Sequence, residues 1–238
     1  GIRHGPGPTS RQTPFFFLTA SPPLLFRVLR RKMLLDGVQC DGIAGKDWHR
    51  ILVRRRRPSW LKRQVAFKLC ALLDRRKEMP PDAQEILIGD DMEADAFIYA
   101  LYARFLEGEL SPSQLAAEAG AQGADEDERA EVRHAATRAG DLPKKGVSHI
   151  YIYLAAQRPP AEIDAIHPRV RACRSPLQMA CHLFAQDVVD ERTVMASAHE
   201  WSSSVPLRAH QAISQEVQEG VARGLLDPTA LPSPLLAE

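Results

Sequence analysis

The stretch that most constrains this chain is Glu85-Ile86-Leu87-Ile88-Gly89-Asp90-Asp91-Met92-Glu93-Ala94-Asp95. A short apolar run ends in glycine and a cluster of carboxylates, and a helical pattern follows. Such a run, bounded by a turn signal, reads as a buried strand of a parallel sheet. Open α/β sheets bind their ligands at the carboxyl ends of their strands, where Asp90, Asp91 and Asp95 would fall. Packed this closely in sequence, Asp90, Asp91, Glu93 and Asp95 repel one another, and a hard cation such as Mg²⁺ would relieve the repulsion. The competing reading is a helix start, because Asp91 and Glu93 suit the positive end of a helix macrodipole.

The surrounding pattern supports an α/β sheet. Phe15–Thr19 is a short apolar strand ending in a hydroxyl residue, and Ser21-Pro22 then opens a helix as cap and first-turn proline. Leu24, Leu25, Val28, Leu29, Met33 and Leu34 recur at helical spacing opposite Arg27, Arg30, Arg31 and Lys32, which predicts a buried apolar stripe. A strand is expected within Val38–Trp48, a basic loop at Arg54-Arg55-Arg56-Arg57, and a helix from Ser59 to about Lys77. Helices follow over Ala96–Leu106, Ser111–Gly120 and, after a polar loop at Gln122–Glu128, to about Ala139. His149–Leu154 alternates with high β propensity, and Val170–Cys173 is a further short strand. Helices capped by Ser175 and Asp190 and a last one near Ser204–Gly224 complete the pattern. The expected division is a loop over 1–14, an α/β domain over 15–158, a helical extension over 159–226 and a frayed tail over 227–238.

A chain of 238 residues is long enough to bury a sizeable core. No apolar run approaches the roughly 18 residues that a membrane span needs, and Phe15-Phe16-Phe17-Leu18 is too short for a signal-peptide core. Cys40, Cys70, Cys173 and Cys181 form no C-x-x-C pair, so reduced thiols in a cytoplasmic protein are expected. The net charge of +1 conceals an asymmetry: residues 1–80 hold 18 Lys/Arg against 5 Asp/Glu, whereas residues 81–238 hold 13 against 25. The basic part points to an anionic partner, whether phosphoester, anionic lipid or nucleic acid.

The motifs taken together resemble a known family. An apolar strand ending in Thr (Phe15–Thr19), a Lys in a later helix (Lys68), and an apolar strand running into Gly89-Asp90 and Asp95 match the ordered second to fourth motifs of the haloacid-dehalogenase-type phosphatase superfamily. The texture is similar to the catalytic domain of actin-patch-type phosphatidate phosphatases, through Phe17-Leu18-Thr19-Ala20-Ser21-Pro22, Lys46-Asp47-Trp48, Phe67-Lys68, Ile88-Gly89-Asp90-Asp91 and Ile150-Tyr151-Ile152. The resemblance spans about residues 14–155. It implies a three-layer Rossmann-like parallel sheet with a helical C-terminal part, and a Mg²⁺-dependent phosphomonoester hydrolase with phosphatidate as candidate substrate. If the substrate is a lipid, the cytoplasmic protein expected from its thiols would be peripheral at a membrane surface.

Each carried-over residue has a chemical role and a plainer alternative. The Thr19 hydroxyl would donate to a phosphoryl oxygen, or it bonds the backbone of the next turn. Ser21 reads as a helix cap more readily than as a phosphate ligand. Lys68 would stabilise charge on the transferring phosphoryl group, or it is a surface lysine whose stem lies along apolar neighbours; Lys62 is the fallback. In the resemblance Asp90 is the Mg²⁺ ligand and Asp95 the supporting carboxylate, with Asp91 at a position where relatives often have Ser. Arg54, Arg55, Arg56 and Arg57 would contact acidic headgroups, or they form a solvated loop. Nucleic-acid binding has little support, since only Trp48 and Trp60 flank that run.

One part of the family pattern is missing. The first motif, D-x-D, supplies an aspartate nucleophile and a general acid/base, and residues 1–14 contain no Asp or Glu. Asp125-Glu126-Asp127 lies in the expected polar loop with no apolar strand before it. Two expectations follow: the chain begins after the first motif of a longer enzyme, which the loop-like start at Gly1 favours, or it is a non-catalytic module that binds anionic lipid or phosphoester. Cys173, Cys181 and His182 read as core residues rather than a metal cluster. No G-x-S-x-G, Walker-type or G-x-G-x-x-G sequence is present.

Overall fold

The computed structural model describes residues 13–19, 21, 23–45, 64–139, 146–204 and 209–236. The chain is α/β, with two small parallel sheets. Its contacts divide into two compact units, Phe15–Leu87 with Ala94–Ile150, and Ile88–Glu93 with Tyr151–Glu238.

In the first unit, β1 (Phe16–Thr19) pairs in parallel with β2 (Gly42–Gly45), Phe16 opposite Gly42 and Thr19 opposite Gly45. Helix α1 (Pro23–Leu35) connects them, the right-sized crossover for a parallel pair. Gly45 gives α1 room against the strand: a Cβ on it would lie 1.8 Å from the ring of Phe26, so any larger residue would have to push that ring aside. Most of the expected stripe on α1 is not buried. Met33 is buried and Phe26 and Leu29 are partly so, while Leu24, Leu25, Val28 and Leu34 are exposed, because the inward face is set by Phe26 instead.

Helix α2 (Val65–Lys77) buries Val65, Ala66, Leu69 and Leu73. Its last turn places the Arg75 guanidinium 4.2 Å from the ring centre of Phe16, a cation–π contact that ties the helix to β1. Helix α3 (Asp95–Leu106) is buried nearly all round, as its almost unbroken apolar sequence demands. Helices α4 (Pro112–Ala121) and α5 (Glu126–Arg138) each open with a complete capping box, Ser111 with Gln114 and Asp125 with Glu128. Asp125-Glu126-Asp127 is therefore a helix start rather than part of a loop.

The second sheet has the order β3-β4-β5, from β3 (Glu85–Asp90), β4 (Val147–Tyr153) and β5 (Val170–Cys173). The first halves of β3 and β4 belong to the first unit and their second halves to the other. The second unit adds α6 (Pro160–Asp164), α7 (Pro176–Ala185), α8 (Glu191–Ser204), α9 (Ala209–Ala222) and α10 (Ser233–Leu236). Ser175 caps α7 through Gln178 N–H, and the Asp190 carboxylate accepts from Thr193 N–H in the first turn of α8. The described part of the segment expected to fray, residues 227–236, carries local structure. Asp227 accepts from the N–H and the hydroxyl of Thr229 and so starts a 3₁₀ turn at Pro228–Ala230, and Leu231 is buried beyond it. Among the described residues, no helix is long and apolar enough to cross a membrane.

Candidate functional site

Strand β3 delivers Asp90 at its carboxyl end, and the three acidic candidates then diverge in environment. Asp90 stays partly exposed, its Oδ1 accepting from Met92 N–H at 2.9 Å. Asp91 is buried, and its carboxylate accepts from Ala156 N–H at 2.6 Å and Arg158 N–H at 3.1 Å. Its own N–H donates to Tyr153 O at the end of β4. Gln157, between those two donors, has a φ of +57°, a left-handed backbone that costs a non-glycine residue on the order of 1–3 kcal/mol. Asp91 therefore holds a strained turn after β4. Asp91→Ala should destabilise the fold by about 1–3 kcal/mol, the net worth of the hydrogen bonds that two part-buried N–H groups make to a carboxylate. Urea denaturation with and without Mg²⁺ checks this: the loss should be the same in both, and a loss that appears only with Mg²⁺ would favour metal binding.

Asp95 opens α3, where a carboxylate suits the positive end of the helix. It forms a buried ion pair with Lys68 from the first turn of α2, Nζ to Oδ1, and both residues are less than a tenth exposed. Lys68 is buried and its ammonium is paired, so it does not reach for solvent in the manner of a surface lysine. Two residues 27 positions apart, singled out separately in the sequence, are thus in direct contact.

Thr19 ends β1 half-buried, and its Oγ1 accepts from Ser21 N–H at 3.1 Å. That is the turn contact named as its plainer role, and it leaves the hydroxyl proton available to a ligand oxygen. Helix α1 begins at Pro23, and Ser21 lies in the bend before it. Lys62 and Arg54–Arg57 lie outside the described residues, as does Lys46-Asp47-Trp48.

Among the described residues, no three His, Cys, Asp or Glu side chains converge on a metal-sized position. Asp90 fits Mg²⁺ as a single ligand, since that ion takes one or two carboxylates and fills its octahedron with water. Asp91 and Asp95 fit less well, because backbone amides and an ammonium occupy their oxygens. Cys173 and Cys181 are buried, burial pushes both thiols up to about 12, and the His182 ring bonds the Tyr151 hydroxyl at 2.8 Å. The two thiols lie in the core, as expected, and His182 is half-buried beside Tyr151.

Two polar networks, one buried and one part-buried, escaped the sequence reading. Arg76 is fully buried, donating to Ala83 O at 2.7 Å and Pro81 O at 3.0 Å, with Glu85 Oε2 at 3.6 Å from its Nη1. Tyr102 donates to the same Glu85 oxygen at 2.9 Å. Burial pushes the Glu85 carboxyl up, against the opposing pull of the Tyr102 hydrogen bond and the Arg76 charge. In the second unit, Arg223 bonds Asp164, Glu219 and Ala172 O, while Gln178 bonds Glu219 and Glu216 O, fastening α9 to β5 and α7. The one sequence signal was a Glu opening an apolar strand.

Comparison with family models, with curated proteins and with solved structures finds no match to the chain.

Proposed function

We propose that this chain is part of a Mg²⁺-dependent phosphomonoester hydrolase of the haloacid-dehalogenase type, with phosphatidate as its candidate substrate. The observation that carries the reading is the buried Lys68–Asp95 pair, which joins a helix lysine to the second acidic residue of the G-D-x-x-x-D segment. A lysine tethered by a carboxylate is held in one place, as a preorganised group opposite a phosphoryl oxygen must be. Asp90, partly exposed at a strand end, would hold the metal, and Mg²⁺ when bound would offset charge on the phosphoryl oxygens. Thr19, also at a strand end, would donate its hydroxyl proton to a phosphoryl oxygen.

The nucleophile and its partner carboxylate are not in the chain. Strand β3 is the outer strand of the order β3-β4-β5, and β1 pairs with β2 alone among the described residues. Each leaves one edge to which a further strand could add. The reading expects an apolar strand ending in D-x-D there.

The test compares the 238-residue chain with a version extended upstream in its own reading frame, assayed on para-nitrophenyl phosphate and on phosphatidate. The extended chain should carry D-x-D and hydrolyse one or both substrates only with Mg²⁺. Asp90→Asn in that version should lower kcat/KM by at least about 10–100-fold, the loss seen even for outer partners of a metal. The shorter chain should show no turnover above background. Mg²⁺-dependent turnover by the shorter chain, or full activity in Asp90→Asn, would sink the proposal.

A further inference from the structure

The outer half of α1 carries five of the nine exposed large apolar side chains among the described residues. Leu24, Val28 and Leu35 fall at i, i+4 and i+11, on one side of the helix, and are 82%, 63% and 78% exposed. Leu25 and Leu34 add exposed apolar surface beside them. Phe26, Leu29 and Met33 form the opposite, inward side, so this exposure is not an end effect or a local unwinding. Single exposed apolar side chains are ordinary, but four leucines and a valine on one helix form a patch of the kind that marks an interaction surface.

The charges decide what covers it. Between Pro23 and Leu35 the helix carries Arg27, Arg30, Arg31 and Lys32 and no Asp or Glu. Helical spacing puts Arg31 and Arg27 along one border of the Leu24-Val28-Leu35 stripe and Lys32 along the other. All three are exposed, and Lys32 pairs only on the surface with Asp36 at 2.8 Å. An apolar stripe bordered by long cationic side chains matches the layering of a bilayer interface, with leucines at the acyl boundary and ammonium and guanidinium groups at the headgroup phosphates. A second copy of this face would bring cations against cations. The surplus of basic residues over residues 1–80 works in the same direction.

We infer that the outer face of α1 docks on an anionic lipid bilayer, through Leu24, Val28 and Leu35 inserted between headgroups held by Arg27, Arg31 and Lys32. The docking does not depend on the phosphatase reading, and the two fail separately, since one is read by hydrolysis and the other by partitioning without turnover.

The test is cosedimentation of the 238-residue chain with phosphatidylcholine vesicles, with and without about one-third phosphatidylserine. The chain should pellet with the anionic vesicles, weakly or not at all with the neutral ones, and less at high salt. The triple variant Leu24→Ser, Val28→Ser, Leu35→Ser should keep its circular-dichroism spectrum and lose at least about tenfold in partition coefficient. Arg27→Gln with Arg31→Gln should lose about tenfold or more on anionic vesicles alone. If the triple variant does not fold, Leu35→Ser alone, in the last turn of the helix, should still weaken binding. No wild-type binding to anionic vesicles would overturn the inference, as would binding that the serine variants leave unchanged. A dimer that the triple variant turns into a monomer, without vesicle binding, would assign the face to a second copy instead.

Discussion

Lys68→Met should cost the fold about 3–5 kcal/mol, because it leaves the Asp95 carboxylate buried without its ammonium. Asp95→Leu should cost a similar amount for the opposite reason, a buried ammonium without its carboxylate. Each charge is less than a tenth exposed, so neither mutant can relieve the strain by turning to solvent. The double variant Lys68→Met, Asp95→Leu should recover most of the loss, since an apolar pair of similar volume removes the desolvation cost together with the attraction. Urea denaturation of all four proteins gives the coupling between the two sites directly. Additive losses, with the double variant the least stable, would mean that the two side chains act independently and would remove the main support for a catalytic lysine at this position. In the extended protein the recovered double variant should be folded and inactive. A pair that is neutral in stability terms when replaced by apolar residues, yet essential for turnover, is present for chemistry.

The sequence made the strands and the order of the candidate residues legible because both depend on short-range pattern. An apolar run punctuated by Gly89 and acids announces β3, and Ser-Pro or Asp before a helical period announces the caps at Ser111, Ser175 and Asp190. The environments of three neighbouring aspartates were not legible, because they depend on distant segments. Asp91 is spent on the turn at residues 156–158, and Asp95 on a helix 27 positions upstream, while Asp90 keeps its exposure. Spacing alone grouped all three at one candidate metal site. The α1 stripe failed for a related reason. Periodicity places Leu24 and Val28 on one face of a helix but does not say which face meets the sheet, and the close approach of Phe26 to Gly45 chose the other side.

Arg76→Met should be the second severe lesion, and its size should depend on pH. The substitution removes the donors to Ala83 O and Pro81 O and leaves Glu85 buried with only the Tyr102 hydroxyl against it, a loss of about 3–5 kcal/mol near neutral pH. Gly146 shows how closely the site is built, since a Cβ there would lie 3.2 Å from the guanidinium carbon and 2.7 Å from Leu106. Glu85 already titrates above the ordinary glutamate value in the native protein, chiefly through burial. A carboxyl with a raised folded pKa binds its proton more tightly when folded. Its contribution is therefore fully present below the ordinary glutamate pKa and is lost as pH rises through the folded value. Without the Arg76 charge the folded value must rise further, which widens that window towards neutrality. The deficit of Arg76→Met relative to the native chain should thus shrink as the buffer is taken from neutral to mildly acid, where Glu85 becomes a neutral acid bonded to Tyr102. Adding Glu85→Gln should flatten the dependence, because an amide cannot titrate. Urea denaturation of the three proteins across that range decides the matter. A deficit for Arg76→Met that stays constant with pH would place the cost in the lost carbonyl hydrogen bonds and not in the stranded carboxylate.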